Sequence, residues 1–405
     1  MLSYEEAIER IDRTVLPLPP VAVALTEARG RVLAEPVRSR WDLPPSTNSA
    51  MDGYAFGFAG QTSGAKLRLA GFVPAGSDQH GRIDTGCCVK IMTGASLPVG
   101  CDTVVPVEDV VAMEEEIRLE SDVRPGQHVR HQGEEARGGE ILLPSGIELR
   151  PGEIALLASA GVEQVVVHPS PTVAVLSTGD ELVELGAAPG PGQIVNSNYY
   201  LLAGRLAEED CHVLPLGIAS DERADLAQRL QRGLEADMLI STGGVSMGDR
   251  DLVRPVLSDH GFELGFWKVR IKPGKPVLFG TAGRSVVFGL PGNPAASAAT
   301  FELFVRPALR RMAGFRDILP PRLRTVLTEG ITGGASRQRF IWGTLHEEQG
   351  AYFFNPGSRQ GSGQNRSMCG AQALLSVPAG EAGLAEGSQV DVMLLRLPPG
   401  IAALP

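Results

Sequence analysis

The stretch 238–251, MLISTGGVSMGDRD, sets a short apolar run before Ser241, Thr242, Gly243 and Gly244, then Asp249 and Asp251, then a helix-like run through Leu252, Val253, Val256 and Leu257. A strand, a turn with accessible backbone N–H groups and a helix start together suit an oxyanion. Carboxylates beside such a site make chemical sense when a divalent cation lies between them and the anion. The plainer reading is a strand-to-helix turn capped by Asp251. On this stretch alone the two are balanced.

Two further runs end in the same way: residues 173–176 lead into Ser177-Thr178-Gly179-Asp180-Glu181, and residues 212–218 into Ala219-Ser220-Asp221. In a parallel sheet these ends share one edge, where ligands of such sheets bind. Cations follow: Lys268, Arg270 and Lys272 alternate with Val269 and Ile271, so period two puts them on one side of a strand, and Pro273-Gly274 adds Lys275. Four cations within eight residues of a chain with net charge −10 favour an anion site over a solvated strand face. Leu290-Pro291-Gly292-Asn293-Pro294 reads as a rigid turn, structural or pocket-forming. In residues 41–57, with Asn48, Ser49, Asp52 and Tyr54, a structural loop in which Asp52 starts a turn before Gly53 is favoured over a functional one. Thr93 in IMTGA, and Gly133-Glu134-Glu135, fit surface turns as well as sites. Arg337, Arg359, Ser362, Gln364 and Arg366 fall in or near turns, within reach of an anion or facing water.

The elements that must position these residues fall into three patterns. Ser3 and Glu6 form a capping-box pattern before Ala7, Ile8 and Ile11, which with Leu2 make one apolar helical face; a second short helix is expected over 24–28. Residues 66–143 read as short strands of a small β domain, followed by a helix over 151–161 with Ile154, Leu157 and Ala158 on one face. From Thr172, strands alternate with helices: strands over 173–176, 212–218, 237–240 and 263–271, helices over 197–208, 222–234 and 251–259, a hairpin of 277–279 with 285–288, and a long helix over 294–312. That alternation predicts a mostly parallel, doubly wound α/β sheet. Beyond residue 321, five short strands suggest a small barrel.

At 405 residues, 43% hydrophobic and 21% charged, the composition is that of a soluble globular chain of several domains. The net charge of −10 argues against a general nucleic-acid or anionic-membrane surface. Cys87, Cys88, Cys101, Cys211 and Cys369 show no metal-ligand spacing, and the adjacent Cys87 and Cys88 suit buried small hydrophobes in a reducing compartment. The acidic, amphipathic start is not a signal peptide, and the longest mostly apolar run, 154–162, is too short to span a bilayer. A cytoplasmic protein without nucleic-acid or membrane partners is expected.

The ordered set NSAMDGYA (48–55), IMTGA (91–95), GEE (133–135), STGDEL (177–182), STGGVSMGDRD (241–251), IKPGKP (271–276) and LPGNP (290–294) resembles the molybdopterin molybdenumtransferases, the MoeA family that includes gephyrin-type E domains. The resemblance implies a discontinuous N-terminal domain (1–40 and 133–168), an inserted β domain (41–132), a molybdopterin-binding α/β domain (169–320) and a C-terminal β-barrel (321–405). It implies a homodimer whose cleft lies between the sheet domain of one subunit and the β domain of the other, and dealings with other molybdenum cofactor biosynthesis proteins and recipient molybdoenzymes. The implied reaction inserts molybdate into adenylyl-molybdopterin and releases AMP, with Mg²⁺ as the ion.

By motif position, Asp52, Thr93, Glu181 and Asp221 would line the cleft, and Ser246 and Asp251 fall on the family's active-site serine and aspartate. Asp251, Glu181 and Asp221 are the expected metal carboxylates. Lys272 and Lys275 match the lysines of the KPGK turn, Pro291 and Pro294 the proline turn, and Arg337 and Ser362 the arginine and serine of the molybdate pocket. This chain has Gly133-Glu134-Glu135 where the family often has Gly-Glu-Asp, so Glu135 keeps the charge and adds one methylene of reach. Splitting a pyrophosphate-type link is chiefly positioning and charge neutralisation, tasks for Mg²⁺ and lysines, while a tetrahedral dianion needs N–H, guanidinium and hydroxyl donors. Two other readings stay open: a non-catalytic, gephyrin-like scaffold or molybdopterin-binding module, and an enzyme of the preceding adenylylation step.

Overall fold

Continuous apolar runs can be strands only if both faces are covered, and that is how the sheet after Thr172 is built. The computed structural model describes residues 1–77, 81–220, 222–244 and 252–396. The chain forms two compact units: Met1–Val21, Gly30–Val32 and Val167–Pro405 make one, and Ala22–Arg29 with Leu33–Val166 the other. In the first, a six-stranded sheet has the order His212–Ala219, Thr172–Thr178, Met238–Thr242, Ser285–Leu290, Leu278–Ala282, Phe262–Trp267. The first four strands are parallel, and the last two join antiparallel through the expected hairpin. Val173, Val175, Met238, Ile240 and Phe288 pack on one face with Leu202 and Leu206; Ala174, Leu176, Leu239 and Val287 pack on the other with Leu226, Leu230, Val256 and Leu257.

The helix Tyr4–Thr14 of this unit starts at the predicted capping box, with Glu6 N–H donating to Ser3 Oγ (3.1 Å) and Ser3 N–H to Glu6 Oε2 (2.7 Å), and it buries Ala7 and Ile11. The C-terminal strands close into a five-stranded barrel: Gln338–Glu348 pairs with Ala351–Pro356, then Arg322–Leu327, Gln389–Leu394 and Ala373–Val377 follow, and the last returns to Gln338–Glu348. Leu327, Ile341, Phe354, Leu375 and Val392 fill it.

Several expectations change. The strand predicted over 263–271 stops at Trp267, because Lys268 takes a left-handed backbone (φ 67°), and a separate short strand Ile271–Lys272 pairs with the barrel at Gln338 and Arg339. The predicted helix over 24–28 is a single 3₁₀ turn, Leu25–Glu27, because Ala24 ends the strand Val21–Ala24 and Ala28 N–H already closes the turn on the Leu25 carbonyl (3.2 Å). The long helix is α over Pro294–Thr300, π over Phe301–Val305 and α again over Arg306–Met312. Pro307 has no N–H for the Leu303 carbonyl, so the turn there widens. Glu302 in that turn is 1% exposed and meets Arg205 Nε (3.1 Å) and Arg306 Nη1 (2.9 Å), while Glu209 meets Arg306 Nε (2.6 Å).

The second unit holds a six-stranded sheet in the order Thr103–Pro106, Gly53–Phe56, Cys87–Ile91, Lys66–Val73, Glu116–Leu119, Val110–Ala112. Tyr54, Phe56 and Cys88 pack on one face, and Ala55, Val89 and Ile91 on the other. Cys87 and Cys88 are buried, as their adjacency suggested. Its helix Pro151–Ser159 buries Leu157, but Ala158 is exposed rather than on the packed face. No helix among the described residues is long and apolar enough to cross a membrane.

Removing one partner of a buried ion network strands the others, at a cost of about 3–5 kcal/mol. Glu302→Ala is therefore expected to lower stability by about that amount in urea denaturation, and a loss below about 1 kcal/mol would mean the network contributes little to the fold.

Candidate functional site

The parallel register sets Ser177 beside Thr242. Thr242 Oγ1 donates to Ser177 Oγ (3.3 Å), Ser177 Oγ donates to Asn196 Oδ1 (3.1 Å), and Thr178 Oγ1 donates to the Thr242 carbonyl (3.3 Å). Asn196 Oδ1 also accepts from Tyr199 N–H (3.3 Å), capping the helix Ser197–Glu208. The hydroxyls that ended the predicted strands thus tie two strand ends to a helix start. After Thr242 the chain must turn left-handed, at Gly243 (φ 83°) and Gly244 (φ 62°). A Cβ on Gly243 would sit 2.6 Å from the Thr178 carbonyl oxygen, and one on Gly244 2.6 Å from Val253 Cγ2. Only glycine fits both the angle and the space.

Above this edge lies a cavity of about 330 Å³ whose lining includes Thr178, Glu181, Asn198, Thr242, Pro291 and Asn293. Glu181 is exposed at the rim. Asn198 is 9% exposed and donates through Nδ2 to the Gly292 carbonyl (2.8 Å). Asn293 Nδ2 lies 3.4 Å from Ser362 Oγ, and the Ser362 carbonyl accepts from Ala295 N–H (3.0 Å) and Ala296 N–H (3.3 Å). Ser362 therefore docks on the first turn of Pro294–Thr300, beside the Pro291–Pro294 turn.

The predicted cations divide. Lys268 Nζ stands 3.7 Å from the centre of the Trp267 ring, a cation–π contact. Arg270 and Lys272 are exposed while Val269 and Ile271 are buried, so the alternation holds although the continuous strand does not. Lys272–Pro273 is a cis peptide and Gly274 has φ 99°; a side chain at Gly274 would strike Thr300 Cγ2. This seats the lysine turn on the helix Pro294–Thr300. Lys275 is exposed, and its neighbour Pro276 lines the cavity. Arg337 Nη1 donates to the Ile271 carbonyl (3.3 Å). Glu181, Pro291, Pro294, Ser362 and the Lys272–Lys275 turn are thus held by neighbouring elements of one unit.

The cavity offers hard oxygen donors: the Thr178 and Thr242 hydroxyls and the Glu181 carboxylate. That is the donor chemistry Mg²⁺ takes, usually with one or two carboxylates and substrate phosphate. Among the described residues no group of three or more His, Cys, Asp or Glu could hold a metal ion. Asp221, Ser246 and Asp251 lie outside the described residues, as does Asp249. The helix expected to start at residue 251 is described from Val253 to Asp259.

Asp52, Thr93 and Glu135 belong to the other unit. Asp52 Oδ1 accepts from Thr93 N–H (2.6 Å) and Thr93 Oγ1 (2.7 Å). Gly53 follows because any Cβ there would run into the Val105 carbonyl. Glu134 Oε2 accepts from His131 N–H (2.7 Å), closing its own turn, whereas Glu135 is held by its backbone, N–H to the Leu43 carbonyl (2.9 Å), with an exposed side chain. Cavity-lining residues that sequence reasoning did not single out are Asn198, Asn293 and Pro276; the signal for the first was Asn196-Ser-Asn198 opening a helix just after a strand.

The Thr93 backbone N–H, then its hydroxyl, hold the Asp52 carboxyl below the ordinary carboxylate range. Asp52 accordingly stays ionised as pH falls through the ordinary carboxylate range, and the stability it contributes above that range is lost only at lower pH. Thr93→Val keeps the backbone donor and removes the hydroxyl, so the Asp52 carboxyl is expected to titrate at a higher pH while staying below its ordinary value. A carboxyl-carbon NMR titration reads this, and an unmoved midpoint would remove the hydroxyl from the account.

Similarity to known proteins follows the same order along the chain. Residues 2–161 match the MoeA N-terminal region (domain I and II), residues 174–311 the probable molybdopterin binding domain, and residues 324–395 the MoeA C-terminal region (domain IV). A molybdopterin molybdenumtransferase from Nostoc sp. is 36% identical over 387 residues, covering 93% of this chain and 88% of the relative. One from Haemophilus influenzae is 33% identical, covering 88% and 87%. The crystal structure of the molybdopterin biosynthesis MoeA protein from Pyrococcus horikoshii superposes with a TM-score of 0.84 at 29% identity, covering 97% of this chain and 100% of that one. With relatives matched along nearly their whole length and a fold that agrees from the N-terminal region to the barrel, the chain belongs to the molybdopterin molybdenumtransferases, the MoeA family of enzymes of molybdenum cofactor biosynthesis.

Proposed function

We propose that this chain inserts molybdate into adenylyl-molybdopterin and releases AMP, in a Mg²⁺-dependent reaction. The observation that carries the proposal is the cavity at the carboxyl ends of the parallel strands, where Glu181 and the Thr178 and Thr242 hydroxyls lie with the Pro291 turn.

Lys272 and Lys275 bind molybdate or phosphate oxygens, and the hydroxyl of Ser362 and guanidinium of Arg337 complete the donors to a tetrahedral dianion. Pro291 and Pro294 fix the turn that shapes the site. Glu181, Asp221 and Asp251 are the carboxylates that would hold Mg²⁺, with one of them taking the proton from the attacking water as the pyrophosphate link opens and AMP leaves. The ion, when bound, neutralises charge on the phosphate oxygens. Ser246, as the active-site serine, and Asp52 are assigned to the catalytic set, and Thr93 and Glu135 to the substrate-lining residues, by their positions in the family's motifs. The proposal extends to the four-domain division at residues 1–40 with 133–168, 41–132, 169–320 and 321–405, to a homodimer, to a cytoplasmic setting, and to delivery to recipient molybdoenzymes. A scaffold without catalysis would not need this set of carboxylates and lysines.

Three measurements test it. AMP release from adenylyl-molybdopterin in the presence of molybdate is expected to fall by about a hundredfold or more in Asp251→Asn, and full activity would remove Asp251 from the mechanism. Lys275→Ala is expected to weaken molybdate binding by about tenfold, the worth of one charge-assisted hydrogen bond; parental affinity in the variant would sink the pocket assignment. Chelating divalent ions is expected to stop AMP release, and adding Mg²⁺ to restore it.

A further inference from the structure

Asn198 is nine-tenths buried, lines the cavity and has no part in the chemistry above. Its Nδ2 donates to the Gly292 carbonyl (2.8 Å), which fixes the orientation of the amide, because a carbonyl oxygen can be met only by the NH₂ end. Among the described residues its Oδ1 has no hydrogen-bond partner. Buried acceptors are nearly always satisfied, so one left unpaired on a residue that lines a cavity points to something that enters the cavity. The nearby hydroxyls are turned elsewhere: Thr178 to the Thr242 carbonyl, Thr242 to Ser177, and Ser177 to Asn196. Asn196, two positions earlier, makes the contrast, since its Oδ1 takes bonds from both Ser177 and Tyr199.

We propose that Asn198 is a specificity-determining residue whose Oδ1 accepts a hydrogen bond from a heterocyclic N–H of the bound substrate. The inference rests on the reading of this cavity as the adenylyl-molybdopterin site. That substrate carries two heterocycles with N–H donors, the pterin and the adenine, and either can supply the bond. The donor end of the same amide holds Gly292, so the residue that reads the ligand also fixes the turn beside it. A site built to pair a donor rejects a ligand that lacks it far more strongly than an apolar wall does, because the acceptor is then left buried and alone.

The test uses the full chain and calorimetric titration with molybdopterin and, separately, with AMP. The quantity read is the ratio of the two affinities in the parent, Asn198→Ala and Asn198→Asp. Asn198→Ala is expected to change the ratio by about tenfold, against molybdopterin if the pterin is the donor and against AMP if the adenine is. Asn198→Asp keeps an acceptor and sets a carboxylate against the Gly292 carbonyl, a strain that falls on both ligands alike, so the ratio is expected to return to the parental value. A purely structural asparagine would lower the melting temperature and weaken both ligands equally. An unchanged ratio in Asn198→Ala, or one that Asn198→Asp does not restore, overturns the inference. If the parent binds neither ligand, the reading of the cavity fails and the inference goes with it.

Discussion

The parallel pairing of Thr172–Thr178 with Met238–Thr242 is the constraint on which the cavity depends. In this register the last hydroxyls of the two strands lie level, so Ser177, Thr178 and Thr242 bond to one another and to the N-cap of the next helix. A slip of one residue would turn every buried side chain of Met238–Thr242 to the opposite face. Because both faces of that strand are packed, such a slip would disrupt two cores at once. The glycines that follow then have no freedom: the Thr178 carbonyl closes the space at Gly243 and Val253 closes it at Gly244.

A second constraint runs along the helix that begins at Pro294. Its first turn receives the Ser362 carbonyl on the N–H groups of Ala295 and Ala296, and Thr300 packs where Gly274 bends the lysine turn. Further on, the same helix widens at Phe301–Val305 and buries Glu302 against Arg205 and Arg306. Arg205 lies on Ser197–Glu208, the helix whose first turn carries Asn198. Two helices that supply the cavity wall are therefore cross-linked by charge at their far ends. Lys272 and Lys275, by contrast, are exposed on the turn seated against the first of these helices.

Much of this was legible because it is local. The capping box of Ser3 and Glu6, the alternating strands and helices, the hairpin at residues 278–290 and the barrel all follow from short-range pattern. What escaped depends on partners distant in sequence or on a single backbone choice. Lys268 satisfies the alternation of burial yet leaves the strand at φ 67°. Pro307 sits inside a pattern that reads as uninterrupted helix, and the widened turn Phe301–Val305 beside it is a backbone choice that the pattern does not carry. Asp52 reads as a turn former, but the chain only bends there before the strand Gly53–Phe56, and the donors to its carboxylate come from Thr93 on another strand end. The site residues at 221, 246 and 251 lie outside the described residues, so for them the motif remains the whole argument.

The departure at Gly133-Glu134-Glu135 shows how a backbone can turn a conservative exchange into a geometric one. Glu134 closes its turn on His131, and Glu135 is pinned through its own N–H to the Leu43 carbonyl. With the backbone fixed by Leu43, a glutamate cannot draw back to set its carboxylate where an aspartate would hold it. It must either reach one methylene further or fold into a bent rotamer at an energetic cost. Exchanging aspartate for glutamate at such a position keeps the charge and shifts its placement, so electrostatic attraction is less affected than a short, directional hydrogen bond would be.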